Sequence, residues 1–476
     1  MNPVHPNCKE GFRLFHEGLL ALSDIEQTGI PIDVEYCNRQ YNIIDRKIKR
    51  IKKKLEKTPE VQQWKKVYRG KFNLNSNDQL AHMLFKVWGY EAKVKTAKGS
   101  PSTNQVALEQ IDSPIVTELT TLGRLGKSRN TYIKNFLQEQ VDGILHPFFN
   151  LHTVNTFRSS SSSPNFQNIP TRIPEIRKLV RRAVCPLPEY MIVEIDFSGV
   201  EVRIAACYNK DPNLIKDIID PARDMHRDMA MECYKLGIDE MTKEIRYNGK
   251  NKFVFPQFYG DYYVTCAQSL WDAIHIQNLK TKSGVPLKKH LRTKGITSYP
   301  KFESHLKSVE DYFWGERFKV YDEWKEEHWG TYQQNGYVDL KTGFRCSGVM
   351  SKNQAINYPI QGSAFHCLLW CLIALHKWLK TRRFNTKIIG QIHDSIVLMV
   401  HPDELNRVMR KAYRIMETEI REAWPWITVP LEVETEASPV NGSWYLKKEI
   451  VKEQCVCGSH WTYKNTKECP ICKRIN

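Results

Sequence analysis

Tyr190-Met-Ile-Val-Glu-Ile-Asp-Phe-Ser-Gly-Val-Glu-Val-Arg203 places one carboxylate, Asp196, in an apolar stretch of strand character. Ile388-Ile-Gly-Gln-Ile-His-Asp-Ser-Ile-Val-Leu-Met-Val400 does the same for Asp394. Withdrawing an unpaired carboxylate from water costs roughly several kcal/mol, so isolated acids are rare in such surroundings. A bound divalent cation removes that cost, and two carboxylates sharing two Mg²⁺ ions make a phosphoryl-transfer site. Taken singly, each Asp reads equally well as a strand-end residue facing water.

The stretch between them adds weight. Arg246 and Lys250 are four residues apart and project from one face of a helix. Two cations so placed repel each other unless an anion bridges them, and a nucleoside triphosphate is such an anion. Lys252-Phe-Val-Phe-Pro-Gln-Phe-Tyr-Gly260 follows, with Phe255 and Tyr259. A solvated basic face with core aromatics behind it fits this stretch equally well.

The order Asp…Arg-x3-Lys…Tyr-Gly…His-Asp resembles motifs A, B and C of the family A DNA polymerases. Thr156-Phe-Arg-Ser-Ser-Ser-Ser-Ser-Pro-Asn-Phe-Gln-Asn-Ile-Pro170 resembles the family's TGRLSSxxPNLQNIP segment. Asp224-Met-His226 resembles its DIH, and Asn357-Tyr-Pro-Ile-Gln-Gly362 its NxPxQG. Glu26-Gln-Thr-Gly-Ile-Pro-Ile-Asp33 and Phe72-Asn-Leu-Asn-Ser76 resemble the elements that open the polymerase domain. The matches run in order from about Gly11 to Tyr445.

The resemblance implies an α+β right-hand architecture: thumb, palm with an antiparallel sheet, and helical fingers. It assigns 1–149 to the palm edge and thumb, 150–230 to palm, 231–345 to fingers and 346–450 to palm. Residues 451–476 remain as a small zinc-ribbon-like tail. The basic run Arg46-Lys-Ile-Lys-Arg-Ile-Lys-Lys-Lys-Leu55 falls in the thumb, where it grips duplex phosphates or is simply solvated. Lys280 to Lys294 forms a basic stretch in the fingers that contacts template or water.

The implied activity is template-directed extension of a DNA primer with dNTPs by two-metal-ion transfer. Asp196 and Asp394 would hold two Mg²⁺ ions, with the Phe197 carbonyl as a further ligand. Arg246, Lys250 and His226 would bind the triphosphate, Lys250 at the family's proton-donating position. Glu201 would close the space for a 2′-hydroxyl and so select deoxynucleotides. Phe255 would stack near sugar and base, with Tyr259 at the template-stacking position. Arg158, Asn165, Gln167, Gln361 and His393 would read minor-groove acceptors common to all Watson–Crick pairs. Two other classes stay in view, a single-subunit RNA polymerase and a non-catalytic DNA-binding scaffold of polymerase descent. Glu201 and the NxPxQG segment speak against the first, and the intact Asp196, Arg246, Lys250 and Asp394 against the second.

Three departures stand out. One extra residue separates Lys250 from Phe255; a π-bulge would absorb it, or Lys252 would take the role. Ser395 follows Asp394 where the family often has a third acid. Phe157 stands where a glycine is usual, bearing on how Arg158 approaches DNA.

Composition agrees without deciding. The 476 residues carry 70 Lys+Arg against 53 Asp+Glu, net +17, which favours a polyanionic partner. No apolar run approaches a membrane span and no secretion signal is visible, so no membrane partner is expected. Nine of the thirteen cysteines, Cys8 to Cys371, are scattered, as suits buried thiols in a reducing, cytoplasmic compartment. The other four, Cys455, Cys457, Cys469 and Cys472, have the grouping of a structural Zn²⁺ site, with His460 as a substitute ligand or free thiols as the alternative. Metal is what would fold so short a segment, and a separate exonuclease or replication protein is the expected partner on it. The polymerase-like region begins within about ten residues of Met1, so proofreading is expected to be absent or supplied by another polypeptide.

Overall fold

A computed structural model describes residues 9–92, 99–169 and 173–475, the side chains of 105 and 106 excepted; Cys8 and Pro170 lie outside the described residues. Its centre is the strand Met191–Phe197, paired antiparallel with Ser395–Val400 on one side and Val433–Ala437 on the other. Lys387–Ile392 closes a hairpin with Ser395–Val400, and Lys448–Lys452 and Trp461–Tyr463 extend the opposite edge to six strands. Strand alternation sends Met191, Val193, Ile195 and Phe197 into the main core, all at most 2% exposed. Glu194 and Asp196 are thereby turned to the other face.

Beneath the core face lies the helix Lys352–Thr381, started by a capping box between Ser351 and Gln354. It corrects one expectation. Among the described residues it is the one helix long and apolar enough to cross a membrane by length and composition. Its most apolar window is 78% buried inside the protein, so other side chains cover the surface a bilayer would otherwise meet. The sequence reading missed it because Asn357, Gln361, Ser363 and His366 interrupt the apolar run.

The helix Lys9–Thr28 packs on this central helix and on Lys387–Ile392. The basic helix Val34–Leu55, capped by the Asp33 side chain at the Tyr36 amide, turns away to a separate small core. There Ile44, Ile48 and Leu55 meet Trp64, Leu84 and Leu119. The segment 243–335 is helical, and Phe253, Phe258, Phe313, Phe318 and Tyr321 interlock within it.

The C-terminal segment is joined to the palm sheet. A boundary at 450/451 cuts through the strand Lys448–Lys452, and Trp461 and Tyr463 are buried in the main core. The segment continues the palm sheet because its backbone pairs with Lys448–Lys452 and Trp461 packs on Tyr413.

Candidate active site

Asp394 occupies the second position of a two-residue turn, after His393 at φ 51°. Across the ladder Ser395 is paired with Asp196, and the Phe197 amide donates to the Asp394 carbonyl at 3.2 Å. Hairpin and central strand therefore bring the two carboxylates together on rigid backbone. Burial, then Asp394 and Glu194, push the Asp196 carboxyl up to about 8. Burial raises Asp394 as well. Among the described residues neither forms an ion pair. Such oxygen donors, charged at cost and left without a cation, fit a hard divalent ion.

Glu194 sits one alternation behind and is satisfied differently. It accepts from Trp444 Nε1 at 2.8 Å, from Ser395 Oγ at 3.2 Å and from Lys447. Burial opposes its charge, but Lys447 and these donors hold its carboxyl below the ordinary range. Lys447 also pairs with Glu436, so the ammonium neutralises the rear of the acidic face and leaves Asp196 free.

The adjoining wall is cationic. Arg246 donates to both oxygens of Asp224 at 2.6 and 3.1 Å, and Asp224 caps the helix Met225–Tyr234 through the Arg227 amide. His226 opens that helix with its Nδ1 buried and unpartnered among the described residues. Burial, then Lys250 and Arg246, push its imidazole down to about 4, so it is neutral at pH 7. Burial and the neighbouring Arg246 also lower Lys250. Among the described residues Lys250 has no carboxylate within ion-pair distance.

The extra residue of this helix is absorbed by a π turn over Lys250–Val254, between Lys243–Gly249 and Phe255–Phe258. Lys250 and Phe255 thus face the same cavity, Nζ 5.0 Å from the ring centroid, while Lys252 is not among its lining residues. Gly249 permits the close approach of this helix to Met225–Tyr234: a Cβ there would stand 2.5 Å from that of Ala230. His226 packs edge-on to Phe255 at 5.5 Å.

On the far side of Phe255, a cleft of about 580 Å³ is lined by Arg158, Glu201, Tyr259, Gln361, His393 and Asp394. Glu201 accepts from Arg158 and from the Tyr259 hydroxyl, joining three elements. Asn353 and Asn357 donate to the carbonyls of Gly260 and Tyr259 at 2.9 and 3.0 Å, tying the fingers helix to the central helix. Gly362 lets the loop carrying Arg158 lie on that helix, since a Cβ would meet the Thr156 carbonyl at 2.5 Å.

Phe157 adopts φ 58°, a conformation costly for a bulky residue. Packing against Phe15 and Phe344, and His366 Nε2 donating to its carbonyl, hold it there.

The proposed groove readers are not alike. His393 is exposed and Gln361 half-buried on the cleft. Asn165 is exposed, its Oδ1 taking Ser161 Oγ and the Asn168 amide. Gln167 is turned inward, 7% exposed, donating to Ser159 Oγ and Gln391 Oε1 at 2.8 and 2.6 Å. Gln391 in turn donates to the His393 carbonyl at 2.6 Å. Gln167 therefore braces the turn that carries Asp394.

At the C-terminus the sulfurs of Cys455, Cys457, Cys469 and Cys472 lie within 4.8 Å of one another. The Cys455–Cys472 and Cys457–Cys469 separations are both 3.6 Å. Four thiolates at ~2.3 Å from one Zn²⁺ have edges of about 3.8 Å, so the donor set fits that ion. His460 stands outside the group.

The family model for DNA polymerase family A matches residues 36–444. The chain belongs to DNA polymerase family A. Among its relatives are a DNA polymerase of Bacillus phage SP01, 27% identical, aligned over 84% of this chain and 47% of the relative. The thermostable DNA polymerase I of Thermus thermophilus is 28% identical over 87% and 46%. DNA polymerase I of Bacillus subtilis is 27% identical over 90% and 44%. The chain thus spans about half the length of these curated relatives. The POL domain of Pol1 from M. smegmatis, solved in complex with DNA primer-template and dNTP, shares the fold at TM-score 0.71 and 23% identity. That likeness covers 91% of this chain and 70% of the other.

Within this family A fold, three residues escaped sequence reading. Gln391 and Ser159 brace the turn, and Glu434 stands directly across the sheet from Asp196. Only Glu434 left a signal, the alternation Glu432-Val-Glu-Thr-Glu436 of a strand with one acidic face.

Proposed function

We propose that this chain is a template-directed DNA polymerase, extending a primer 3′-hydroxyl with dNTPs by two-metal-ion nucleotidyl transfer. The observation that carries the reading is the pair Asp196 and Asp394, held side by side with no ion pair among the described residues, next to a wall of Arg246, Lys250 and His226. Family membership and the family A fold support it.

Asp196 and Asp394 would hold the two Mg²⁺ ions. Bound there, divalent cations acidify an attacking hydroxyl and neutralise phosphate charge. The chain's own residues bind and orient the nucleotide. Lys250, free of carboxylate partners among the described residues and made more acidic by burial and Arg246, takes a phosphate and is suited to protonate the leaving oxygen. Neutral His226 donates a hydrogen bond to a phosphate oxygen without adding repulsion to the two cations. Glu201, clamped by Arg158 and Tyr259, walls the sugar site and disfavours a 2′-hydroxyl it cannot accommodate. Release of Tyr259 from Glu201 would vacate the position for the templating base.

The four-cysteine group holds a structural Zn²⁺ on this reading, fastening the C-terminal strands to the palm. Zinc thiolates and the buried free cysteines accord with a reducing, cytoplasmic setting.

The test is primer extension on a short primer–template with Mg²⁺, comparing dNTPs with rNTPs. Extension with dNTPs alone, lost in Asp394→Ala, is the expected result. Tight DNA binding without extension by the wild-type protein would overturn the catalytic reading.

A further inference from the structure

From Gln277 to Lys301 the fingers carry seven Lys or Arg and no Asp or Glu. All seven are exposed, and six of them, Lys280, Lys282, Lys288, Lys289, Arg292 and Lys294, lie between residues 280 and 294. Among the described residues none of the six has an ion-pair or side-chain hydrogen-bond partner, although other exposed lysines do, such as Lys377 with Glu17 and Lys464 with Glu449.

The cations stand on an ordered frame. Leu287 and Leu291 of the short helix Leu287–Thr293 are at most 1% exposed. His290, buried beside them, donates Nε2 to the Lys235 carbonyl at 2.9 Å. The preceding loop is closed by Thr281 N–H to the Val285 carbonyl at 2.9 Å and by a bridge between Lys280 and Pro286. Glu240, beside this stretch, is turned to His290 and to the Gly237 amide. Like charges fixed in this way repel one another, and a flexible loop would relieve the repulsion by spreading. An extended polyanion relieves it without rearrangement.

Position selects the polyanion. Lys235 follows the helix Met225–Tyr234, whose first turn carries His226. At 1.5 Å per residue the basic surface begins ~14 Å beyond the triphosphate wall. That is about four steps of a nucleic-acid strand at ~3.4 Å each. The thumb's basic helix Val34–Leu55 belongs to a different core, so the two basic surfaces serve different stretches of nucleic acid.

We propose that the surface formed by Lys280, Lys282, Lys288, Lys289, Arg292 and Lys294 binds phosphates of the template ahead of the primer terminus. The inference rests on the polymerase reading. Backbone contact of this kind carries no sequence preference and is sensitive to salt.

The test compares fluorescence-anisotropy affinities for primer–templates with template overhangs of two and twelve nucleotides. A third substrate carries the long overhang annealed to a downstream strand. Wild-type protein should bind a longer substrate several-fold more tightly than the short one. K282E/K288E/K289E/R292E should lose that gain, and its salt slope on the longer substrate should fall by roughly three. A gain on the single-stranded overhang, on the downstream duplex or on both identifies the nucleic acid held. Unchanged affinity and extension on the short substrate show that the variant is folded; should it not fold, the corresponding glutamine variant replaces it. A variant that keeps the full length-dependent gain, or a wild-type protein without one, overturns the proposal. Failure of wild type to bind even the short substrate would instead sink the polymerase reading.

Discussion

Glu434 stands directly opposite Asp196 in the palm sheet, on the same face, with its Oε1 accepting the Ser198 hydroxyl at 3.1 Å. Cross-strand neighbours of this kind hold their Cβ atoms ~5 Å apart. Ser395, by contrast, is spent on Glu194 and the Ile392 carbonyl. Negative charge beside Asp196 is therefore supplied from the neighbouring strand.

Glu434→Gln should raise the Mg²⁺ concentration for half-maximal extension by roughly three- to tenfold, about 1 kcal/mol, with little change in Tm. A metal titration of initial rate, with a thermal melt as control, measures it. An unchanged Mg²⁺ requirement would show that Glu434 has no influence at the metal site.

Asp196 binds its proton more tightly in the folded chain than in the unfolded one. Folding is thus favoured at low pH by this group, and that contribution is lost as pH climbs from ~4 towards 8. In metal-free protein Asp394→Asn should stabilise by roughly 1–2 kcal/mol at pH 8 and by less at pH 5. Denaturant melts in EDTA at the two pH values test this, and wild type should regain the difference with Mg²⁺.

Phe157→Gly relieves the cost of a positive φ, ~1 kcal/mol, but empties a buried aromatic site, which costs ~3–5 kcal/mol. The variant should be less stable by about 2–4 kcal/mol in urea denaturation. Arg158 is adjacent, so weaker primer–template binding should accompany the loss.

Deleting Asn251, exposed in the π turn, leaves Lys250 and Phe255 at the spacing of a regular helix. Extension should persist within about tenfold, since both side chains keep the face they share. Deleting Tyr247 from the regular turn before it should abolish activity by rotating Arg246 away from Lys250. Equal loss in both deletions would contradict the π-turn account.

Purified protein should carry one Zn²⁺ per chain by elemental analysis. Chelation, or Cys455→Ser with Cys469→Ser, should lower Tm by several degrees, because Trp461 and Tyr463 lose the clamp that keeps them in the core. Metal-free protein with an unchanged melt would remove zinc from the account.

The positions that need a particular residue type were legible without coordinates. Asp196 and Asp394 stood out by polarity, and Arg246 and Lys250 by helical spacing. Ser395 and Phe157 showed as departures, but their consequences did not. The left-handed backbone that Phe157 accepts is stabilised by Phe15 and Phe344, which lie far away in sequence. Gln167, grouped by motif with the groove readers, also braces the turn, because Gln391 arrives from a strand over 200 residues later. The C-terminal cysteines were visible as ligands, whereas the continuity of their strands with the palm depends on pairing that no local pattern encodes.

The sequence by itself determined the chemistry: which acids, cations and thiols the chain can bring to bear, since identity and spacing are local properties. Tertiary structure alone decided which of these groups remain free. Glu194 is neutralised by Lys447 and Asp224 by Arg246, while among the described residues Asp196, Asp394 and Lys250 are left without such partners. Whether a charge is neutralised depends on what folds against it through space, and that is set by packing between elements far apart in the chain.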